Sequence, residues 1–406
     1  MLKIYVCGPT VYNYVHIGNL RPIITYDLML KAARSLKIDF KFIHNITDID
    51  DKIINQAILE NTSEEMIAKK YSEDYFDLLK KFNVDTVSSF EFVTQNLNEM
   101  NSLVKKMVLN EDAYVIDGNV WFNINKNKKN YGAVSGQNID SMAYEDKTLN
   151  KKHPADFALW KKTELGIRYD SDFGLGRPGW HTECVAMIYK HFGNEGVDIH
   201  GGGMDLTFPH HENENIQFYS VANKNLAKKW IRTGQINLNN IKMSKSLQNV
   251  ILGRDFIDKY TPDHLKMAIL LNGVTSIINI DENLLNNIEV IFKKIKKIFF
   301  IKELEFFQNH EMNTELFKST MNNIYELKFS DFNKSINDLI KEINQNKDPI
   351  LVNTLIKIFN TLGFDFDKFD YLKYIGIYKE WQTLVGDKNY EKADLLRTIL
   401  QNEKLL

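Results

Sequence analysis

A strand, a helix and a second strand follow one another within the first 50 residues, and this order constrains the fold more than any other feature. Residues 2–7 form an apolar strand-like run that ends at Gly8-Pro9, and apolar positions then recur at helical spacing from about 19 to 36. Residues 39–44 alternate as a second strand. Because such a unit implies a crossover between parallel strands, we expect an α/β fold with a Rossmann-like parallel-sheet catalytic domain.

The periodicity changes along the rest of the chain and predicts further parts. A hairpin-like stretch around Asp117-Gly118 and a following Lys- and Asn-rich stretch indicate a connective insertion into the sheet domain. Towards the C-terminus the pattern is helical, which predicts an all-α bundle. We expect five parts along the chain: the first half of the sheet domain at 1–85, the connective insertion at 86–152, the second half of the sheet domain at 153–229, a lysine-loop region at 230–265 and the bundle at 266–406.

Composition narrows the functional classes. The chain has 406 residues, which predicts two or three domains, and its net charge of −2 means that a nucleic acid would need local basic patches. Two cysteines far apart in the sequence favour a reducing, cytoplasmic setting over a disulfide framework. We see no basic-then-apolar leader and no apolar run of about 20 residues, so neither export nor a membrane span is expected.

The segment His16-Ile17-Gly18-Asn19 follows the first strand and opens a helix. Backbone N–H groups and the helix dipole favour phosphate at this position, and His16 and Asn19 could donate to charge that develops on it. Taken alone, so short a motif is better explained as the start of a helix.

The segment Lys242-Met243-Ser244-Lys245-Ser246 lies in a polar stretch. Two ammonium groups beside hydroxyl side chains suit a loop that holds a polyphosphate, whereas an isolated example is more often an exposed turn. The occurrence of both segments, in this order, favours the phosphate-binding interpretation.

Four side chains suggest a metal site. His210 and Glu214 are four residues apart and share a face if a helix starts near Pro209, and Cys7 and Cys184 could converge on that face. Two thiolates, an imidazole and a carboxylate form a plausible zinc shell. The alternatives are that each cysteine is a small buried apolar residue and that His210 is a hydrogen-bonded core histidine.

Longer motifs carry a resemblance to a known family. The two phosphate-binding segments resemble the signature motifs of class I aminoacyl-tRNA synthetases. Four stretches in the first 270 residues resemble the cysteinyl-tRNA synthetase family closely, namely Tyr5–Thr10, Asn45–Asp51, Gly176–Cys184 and His200–Glu214.

The resemblance implies a reaction, cofactors and partners. Cysteine and ATP with Mg²⁺ would give cysteinyl-adenylate, and the acyl group would pass to tRNA-Cys. One Zn²⁺ per chain would be held by Cys7, Cys184, His210 and Glu214, and the protein is expected to be a monomer. The family's cysteine-binding residues correspond to Gly8, Thr10, Thr47 and Trp180. Its ATP-binding residues correspond to His16, Gly18, Asn19, His200, Gly201, Gly203, Asp205, Lys242 and Lys245, of which His16, Asn19, Lys242 and Lys245 are expected to be catalytic.

Zinc also explains how serine would be rejected. Serine differs from cysteine by one atom, a change for which a shape-based pocket gives only about 10–200-fold discrimination. Zinc favours sulfur and promotes its ionisation, so no editing domain is expected.

The chain departs from the family pattern in two places. Asn19 stands where the class motif ends in histidine, and we expect activity with an altered phosphate contact. The chain ends nine residues after Arg397, so we expect it to lack the small β element that follows this helix in the family, and the mode of anticodon reading is left open. Lys293, Lys294, Lys296 and Lys297 are candidate contacts to the RNA backbone or, equally, a solvated helix face.

Two rival functions are weighed against this one. A ligase that joins cysteine to an amino-sugar shares the fold and the first half-reaction, but its zinc shell lacks the glutamate that corresponds to Glu214. A non-catalytic RNA-binding paralogue would need neither the lysine loop nor the zinc ligands.

Overall fold

The computed structural model describes residues 1–139, 150–243, 249–305 and 311–406. These residues form twelve strands: β1 Leu2–Val6, β2 Phe40–Ile46, β3 Ser89–Phe92, β4 Ala113–Ile116, β5 Asn119–Phe122, β6 Ala158–Lys161, β7 Arg177–Pro178, β8 Val197–Gly203, β9 Ala227–Thr233, β10 Ile236–Leu238, β11 Ile241–Lys242 and β12 Ile278–Ile280.

The same residues form fifteen α-helices: α1 Ile17–Ser35, α2 Asp51–Leu59, α3 Glu64–Lys81, α4 Leu97–Leu109, α5 Ile124–Asn127, α6 Thr182–Phe192, α7 Glu212–Ala222, α8 Gly253–Lys259, α9 Pro262–Leu270, α10 Glu282–Leu304, α11 Thr314–Tyr325, α12 Phe329–Asn346, α13 Pro349–Thr361, α14 Leu372–Gly386 and α15 Tyr390–Asn402. Among the described residues, none of these helices has the length and apolar character needed to cross a bilayer.

The first of two compact units is built on a five-stranded sheet. It comprises residues 1–23, 40–80 and 85–235, and its strands lie in the order β3-β2-β1-β8-β9 with every neighbouring pair parallel. The strand order reverses at the β1/β8 pair, and ligands of such sheets bind at the carboxyl ends of the strands beside this switch point. The predicted α/β class with a parallel sheet is confirmed.

A four-stranded antiparallel sheet, in the order β4-β5-β6-β7, also belongs to this unit. The predicted hairpin turns at Asp117 and Gly118, whose φ values of 52° and 82° are those of a tight two-residue turn. The sheet continues through β6 and β7, past residue 152 where the sequence placed the end of the insertion. Trp160 in β6 is fully buried and pairs with Val120, so that strand packs with the insertion and not in the parallel sheet.

The second unit is mainly helical, as the sequence predicts. It comprises residues 24–39, 81–84 and 236–406 and contains helices α8 to α15. It also contains a small sheet in the order β11-β10-β12, whose last strand lies within the stretch predicted to be helical. That strand is three residues long, too short for its alternation to be distinguished from a helical pattern.

The second unit buries a cluster of lysine and aspartate side chains. Lys266 is 2% exposed, lies 2.9 Å from Asp263 and also donates to the carbonyl of Gly363. Lys31 forms an ion pair with Asp27 and donates to the carbonyl of Asn83. The cluster is closed by residues 81–84 and 363–365, through hydrogen bonds of 2.7 Å from Asn83 to Asp365, 3.0 Å from Asn83 to Gly363 and 2.9 Å from the Asp365 N–H to Asp263.

Candidate active site

Four potential metal ligands meet at the carboxyl edge of the parallel sheet. Cys7 directly follows β1, and its backbone N–H donates to the carbonyl of Gly201 in β8 over 2.9 Å. Cys184 lies in the first turn of α6, Glu214 lies in the first turn of α7, and His210 lies in the irregular turn that leads into α7. The two helices therefore bring their ligands to the loop that follows the first strand.

The four ligands are close enough to share one ion. The two sulfurs are 4.0 Å apart, and Cys184 Sγ lies 3.7 Å from His210 Nε2. Glu214 Oε1 lies 3.6 Å from Cys7 Sγ and 2.8 Å from His210 Nε2. One ligand atom from each residue lies within 4.8 Å of all the others, and Cys184, His210 and Glu214 are almost wholly buried.

A second set of ligands overlaps the first. It keeps Cys7 and Glu214 and adds His200 and His211, again within 4.8 Å. The sequence assigned His200 to ATP and left His211 without a role. The structure places both imidazoles in the ligand cluster, where His200 is fully buried and stacks on Trp230 at a ring distance of 4.6 Å.

The cluster contains buried polar atoms that the protein does not satisfy. His200 Nε2 and Glu214 Oε2 pair with each other at 2.8 Å, and among the described residues the buried Nδ1 of His200 has no hydrogen-bond partner. Buried polar atoms in folded proteins nearly always have partners. A carboxylate and imidazoles gathered beside two thiols fit a borderline-soft cation such as zinc.

The two thiols differ in their ease of ionisation. Burial opposes ionisation of Cys7, but the Cys184 S–H and the nearby His200 outweigh burial and hold the pKa of Cys7 well below its ordinary value. Burial and the neighbouring sulfur raise the pKa of Cys184 well above its ordinary value. A divalent cation that binds both sulfurs would have to release one further proton, from Cys184.

His210 is oriented from the side opposite the ligands. Its Nδ1 lies 2.9 Å from Nδ1 of His181, so one of these nitrogens donates and the other accepts. If Nε2 of His210 provides a lone pair to an ion, Nδ1 carries the proton and His181 accepts it, which is the usual support of a metal-binding histidine. Trp180 stacks on the same ring at 4.3 Å and is 43% exposed, so one side of the His210 ring is covered by a partly exposed aromatic side chain.

Three of the four predicted cysteine-binding residues lie on the loops that follow β1 and β2, and the fourth, Trp180, lies between β7 and α6. Thr10 and Thr47 form an isolated parallel bridge. The Gly8 N–H donates to the Asn45 side chain over 2.8 Å, and a Cβ on Gly8 would lie 1.7 Å from the carbonyl oxygen of Asn45. This position therefore accepts only glycine, and the structure brings three of the four predicted residues together.

Glu183 is a buried group at this edge that the sequence analysis missed. Its carboxylate accepts a 2.5 Å hydrogen bond from the Thr47 hydroxyl and a 3.3 Å hydrogen bond from the Asn45 amide. Burial raises the pKa of Glu183 well above its ordinary value. The signal available in the sequence was that Glu183 directly precedes the predicted ligand Cys184 in the motif. Consecutive residues of α6 point in different directions, so Glu183 contacts other neighbours than Cys184 does.

The predicted phosphate-binding turn opens α1. The Asn19 side chain accepts from the His16 backbone N–H over 3.2 Å, and the Asn19 N–H donates to the His16 carbonyl over 2.9 Å. The Asn19 carboxamide oxygen therefore closes the turn around Gly18. Its amide nitrogen is the atom that could donate to a phosphate.

The other predicted ATP contacts lie at strand ends. Gly201 and Gly203 end β8, and Asp205 follows them and is exposed. Lys242 ends β11 in the second unit and is exposed, whereas Lys245 lies outside the described residues.

The predicted basic cluster lies on α10. Lys293, Lys294 and Lys297 are exposed. Lys296 is half-buried, and its ammonium lies 3.8 Å from the centre of the Phe369 ring.

Glu212 connects the insertion to the ligand-bearing helix, which the sequence did not predict. Its buried carboxylate accepts hydrogen bonds of 2.8, 3.0 and 2.7 Å from the backbone N–H groups of Gly132, Val134 and Ser135, and one of 2.8 Å from the Ser135 hydroxyl. Tyr131 donates to Asn213 over 2.9 Å beside it. The sequence offers one signal for this contact: Glu212 is an acidic residue within the motif that also contains the predicted ligands His210 and Glu214.

Comparison with protein families gives one match that covers most of the chain. The model described as "tRNA synthetases class I (C) catalytic domain" matches residues 1–290. That range includes all four ligands of the first set and both predicted phosphate-binding segments.

Curated proteins and solved structures are similar over nearly the whole length. A "Cysteine--tRNA ligase" of Mycoplasma mycoides subsp. mycoides is 40% identical, covering 100% of this chain and 96% of that protein. A protein of the same name from Mesomycoplasma hyopneumoniae is 41% identical over 98% and 96%. Among solved structures, an Agrobacterium radiobacter LeuRS has a TM-score of 0.66 at 8% identity, covering 89% and 83%. A Mycobacterium tuberculosis methionyl-tRNA synthetase has a TM-score of 0.59 at 14% identity, covering 94% and 85%. At these identities the solved structures show the fold alone.

Proposed function

This chain belongs to the class I tRNA synthetases of the cysteine type and is a cysteine–tRNA ligase, and on that premise we propose a zinc-dependent mechanism for it. The carboxylate of cysteine attacks the α-phosphate of ATP, giving cysteinyl-adenylate and pyrophosphate. A hydroxyl of the 3′-terminal adenosine of tRNA-Cys then attacks the acyl carbon, and AMP leaves.

The ligand cluster is proposed to select cysteine. Cys7, Cys184, His210 and Glu214 would hold zinc, which when bound supplies a soft Lewis acid for the substrate sulfur. The surrounding residues would exclude water from this site and orient the amino acid. Trp180, stacked on His210, would form one wall of the site. Gly8 allows the loop after β1 to approach the Asn45 carbonyl closely because it has no side chain. Serine would fit the same space but lacks the sulfur that zinc prefers.

The residues of the two phosphate-binding segments are proposed to act by position and charge. His16 and the Asn19 amide nitrogen, at the N-terminus of α1, would donate to the reacting phosphate, where the helix dipole adds a favourable field. Lys242 and Lys245 would hold the pyrophosphate with its Mg²⁺. Phosphoryl transfer needs little covalent help from a protein, so binding and charge are the roles proposed for these residues.

One observation carries the zinc proposal: two thiols, an imidazole and a carboxylate converge within 4.8 Å of one another at the carboxyl edge of the parallel sheet. The test is charging of a tRNA-Cys transcript with labelled cysteine by zinc-loaded protein, with serine and metal-stripped protein as controls. We expect charging with cysteine but not with serine, and only when the metal is present.

The other outcomes separate the rival functions. Pyrophosphate exchange with cysteine but no charging, with the metal in place, would indicate a different acyl acceptor such as an amino-sugar. Absence of both activities would indicate an RNA-binding protein without catalysis. Charging that survives complete removal of metal would contradict the role of zinc.

A further inference from the structure

Arg232 makes a contact that fixes the protonation pattern of a histidine in the ligand cluster. It lies in β9, next to the parallel sheet's switch strands, and its Nε–H donates to Nδ1 of His211 over 3.0 Å. A guanidinium has only donors and stays protonated in proteins. Nδ1 of His211 must therefore accept, so it carries no proton.

The other nitrogen of the His211 ring follows from this. An imidazole whose Nδ1 accepts is neutral and has its proton on Nε2. Nε2 lies 3.7 Å from the sulfur of Cys7, within hydrogen-bonding distance for sulfur. His211 thus directs an N–H towards the Cys7 sulfur and has no lone pair to offer a metal ion.

This distinguishes the two overlapping sets of ligands. The set of Cys7, His200, His211 and Glu214 needs the Nε2 lone pair of His211, whereas the set of Cys7, Cys184, His210 and Glu214 does not. Both sets share Cys7 and Glu214, so an ion could occupy one set or the other according to the tautomer of His211.

We propose that Arg232 is a positioning residue that, through His211, directs the metal ion to the two-cysteine set and holds the Cys7 thiolate with an N–H···S hydrogen bond. The proposal rests on the metal site of the proposed function and adds a residue outside the four ligands. Outer groups that orient metal ligands typically contribute about 10–100-fold to metal affinity.

The two sets differ in a property that cobalt reports. The two-cysteine set places two thiolates on the ion and the other set places one, so the thiolate-to-cobalt charge-transfer band should halve when the ion changes sets. Loss of an N–H···S hydrogen bond makes a thiolate a stronger electron donor, which moves the band to longer wavelength. Both quantities are read from an absorption spectrum and need no turnover.

The experiment compares wild-type protein with Arg232→Met, which keeps a linear apolar stem but removes the donor, and with Arg232→Lys, which keeps a cationic donor. Lys229→Met, an exposed position on the same strand, is the matched control. Cobalt spectra and chelator competition for zinc are measured for each protein. We expect Arg232→Met to bind zinc about 10–100-fold more weakly, with a weaker, red-shifted cobalt band. Arg232→Lys should recover part of the difference, and Lys229→Met should match wild type.

A second background tests whether the effect passes through His211. In His211→Phe protein, Arg232→Met should change neither the cobalt band nor the zinc affinity further. Unchanged spectra and affinity in Arg232→Met, or the same change in both backgrounds, would overturn the proposal. Either result is distinct from failure of the proposed function, which would appear as a wild-type cobalt complex without thiolate bands.

Discussion

The two units of this protein each bury a cluster of ionisable side chains. The clusters differ in how completely their polar atoms are hydrogen-bonded or paired within the protein. In the second unit, Lys266 is paired with Asp263 and also donates to the Gly363 carbonyl, and Lys31 is paired with Asp27 in the same way. In the first unit, the pair of His200 and Glu214, 2.8 Å apart, lies beside two free thiols, and among the described residues the buried Nδ1 of His200 has no hydrogen-bond partner.

The difference separates a structural cluster from a binding site. A buried charge is tolerated when a partner and hydrogen bonds compensate for lost hydration, as they do around Lys266. Polar atoms kept close together but unsatisfied are costly, so they indicate a ligand that completes them. Burial alone would not have distinguished the two clusters, because both are almost wholly buried.

The largest expected effect tests the paired cluster. Lys266→Met should lower the free energy of unfolding by about 3–5 kcal/mol, because Asp263 would remain buried without its cation. Chemical denaturation measures the change, with exposed Lys341→Met as the matched control. Zinc binding should stay at one ion per chain. A loss below about 1 kcal/mol would mean that the pair does not contribute as a buried ion pair should.

The next effect tests the unsatisfied cluster. Cys184→Ser removes one of four ligands, and a structural zinc site is worth about 10–16 kcal/mol in all, so zinc affinity should fall by at least about 100-fold. Chelator competition measures the fall. The metal-free protein should lose little stability, since no partner is orphaned. Normal zinc affinity would show that Cys184 is not a ligand.

A pH experiment tests a third buried group, which lies near the ligands but is fully paired. His44 contacts the Val6 carbonyl through Nδ1 and the Tyr75 hydroxyl through Nε2, each at 2.9 Å. Burial lowers the pKa of His44 to about 4. The unfolded chain takes up this proton near pH 6.5, so its contribution to stability is complete above that pH and is lost as the pH falls towards 4.

The expected loss from His44 is about 3 kcal/mol, from roughly 1.4 kcal/mol per pKa unit. It is measured as the difference in pH dependence of unfolding between wild type and His44→Gln over pH 4–7. Identical slopes in wild type and His44→Gln would show that His44 is not held neutral.

The smallest effect concerns the connection between the insertion and α7. Glu212→Gln keeps the shape of the side chain but removes the charge that strengthens its four hydrogen bonds, and we expect a loss of about 1–2 kcal/mol. Hydrogen exchange at residues 132–135 should accelerate, whereas Glu195→Gln, an exposed control, should leave it unchanged. Protection equal to wild type would mean that the turn is held by other contacts.

The sequence predicted the parts that depend on local pattern and long motifs. The βαβ start and the hairpin at Asp117-Gly118 follow from residues that neighbour one another in a strand, turn or helix. The grouping of Cys7 and Cys184 with His210 and Glu214 came from the resemblance of the long motifs, because the two cysteines are far apart in the sequence. What it missed depends on partners distant in the chain. Examples are the hydrogen bond of His211 with Arg232 and the sheet to which Trp160 belongs. The spacing of residues carries no information on which distant side chain will satisfy a buried atom.

The way in which Glu212 holds the insertion has a consequence for divergence among related chains. Three of its four hydrogen bonds come from backbone N–H groups, which every residue except proline provides. Most side chains of the turn are therefore free to vary, apart from Gly132, whose φ of 90° favours glycine. Its length is not free to vary, since one residue more or fewer would move the donors off the carboxylate. Related chains should thus differ in the residue types of this turn far more often than in its length.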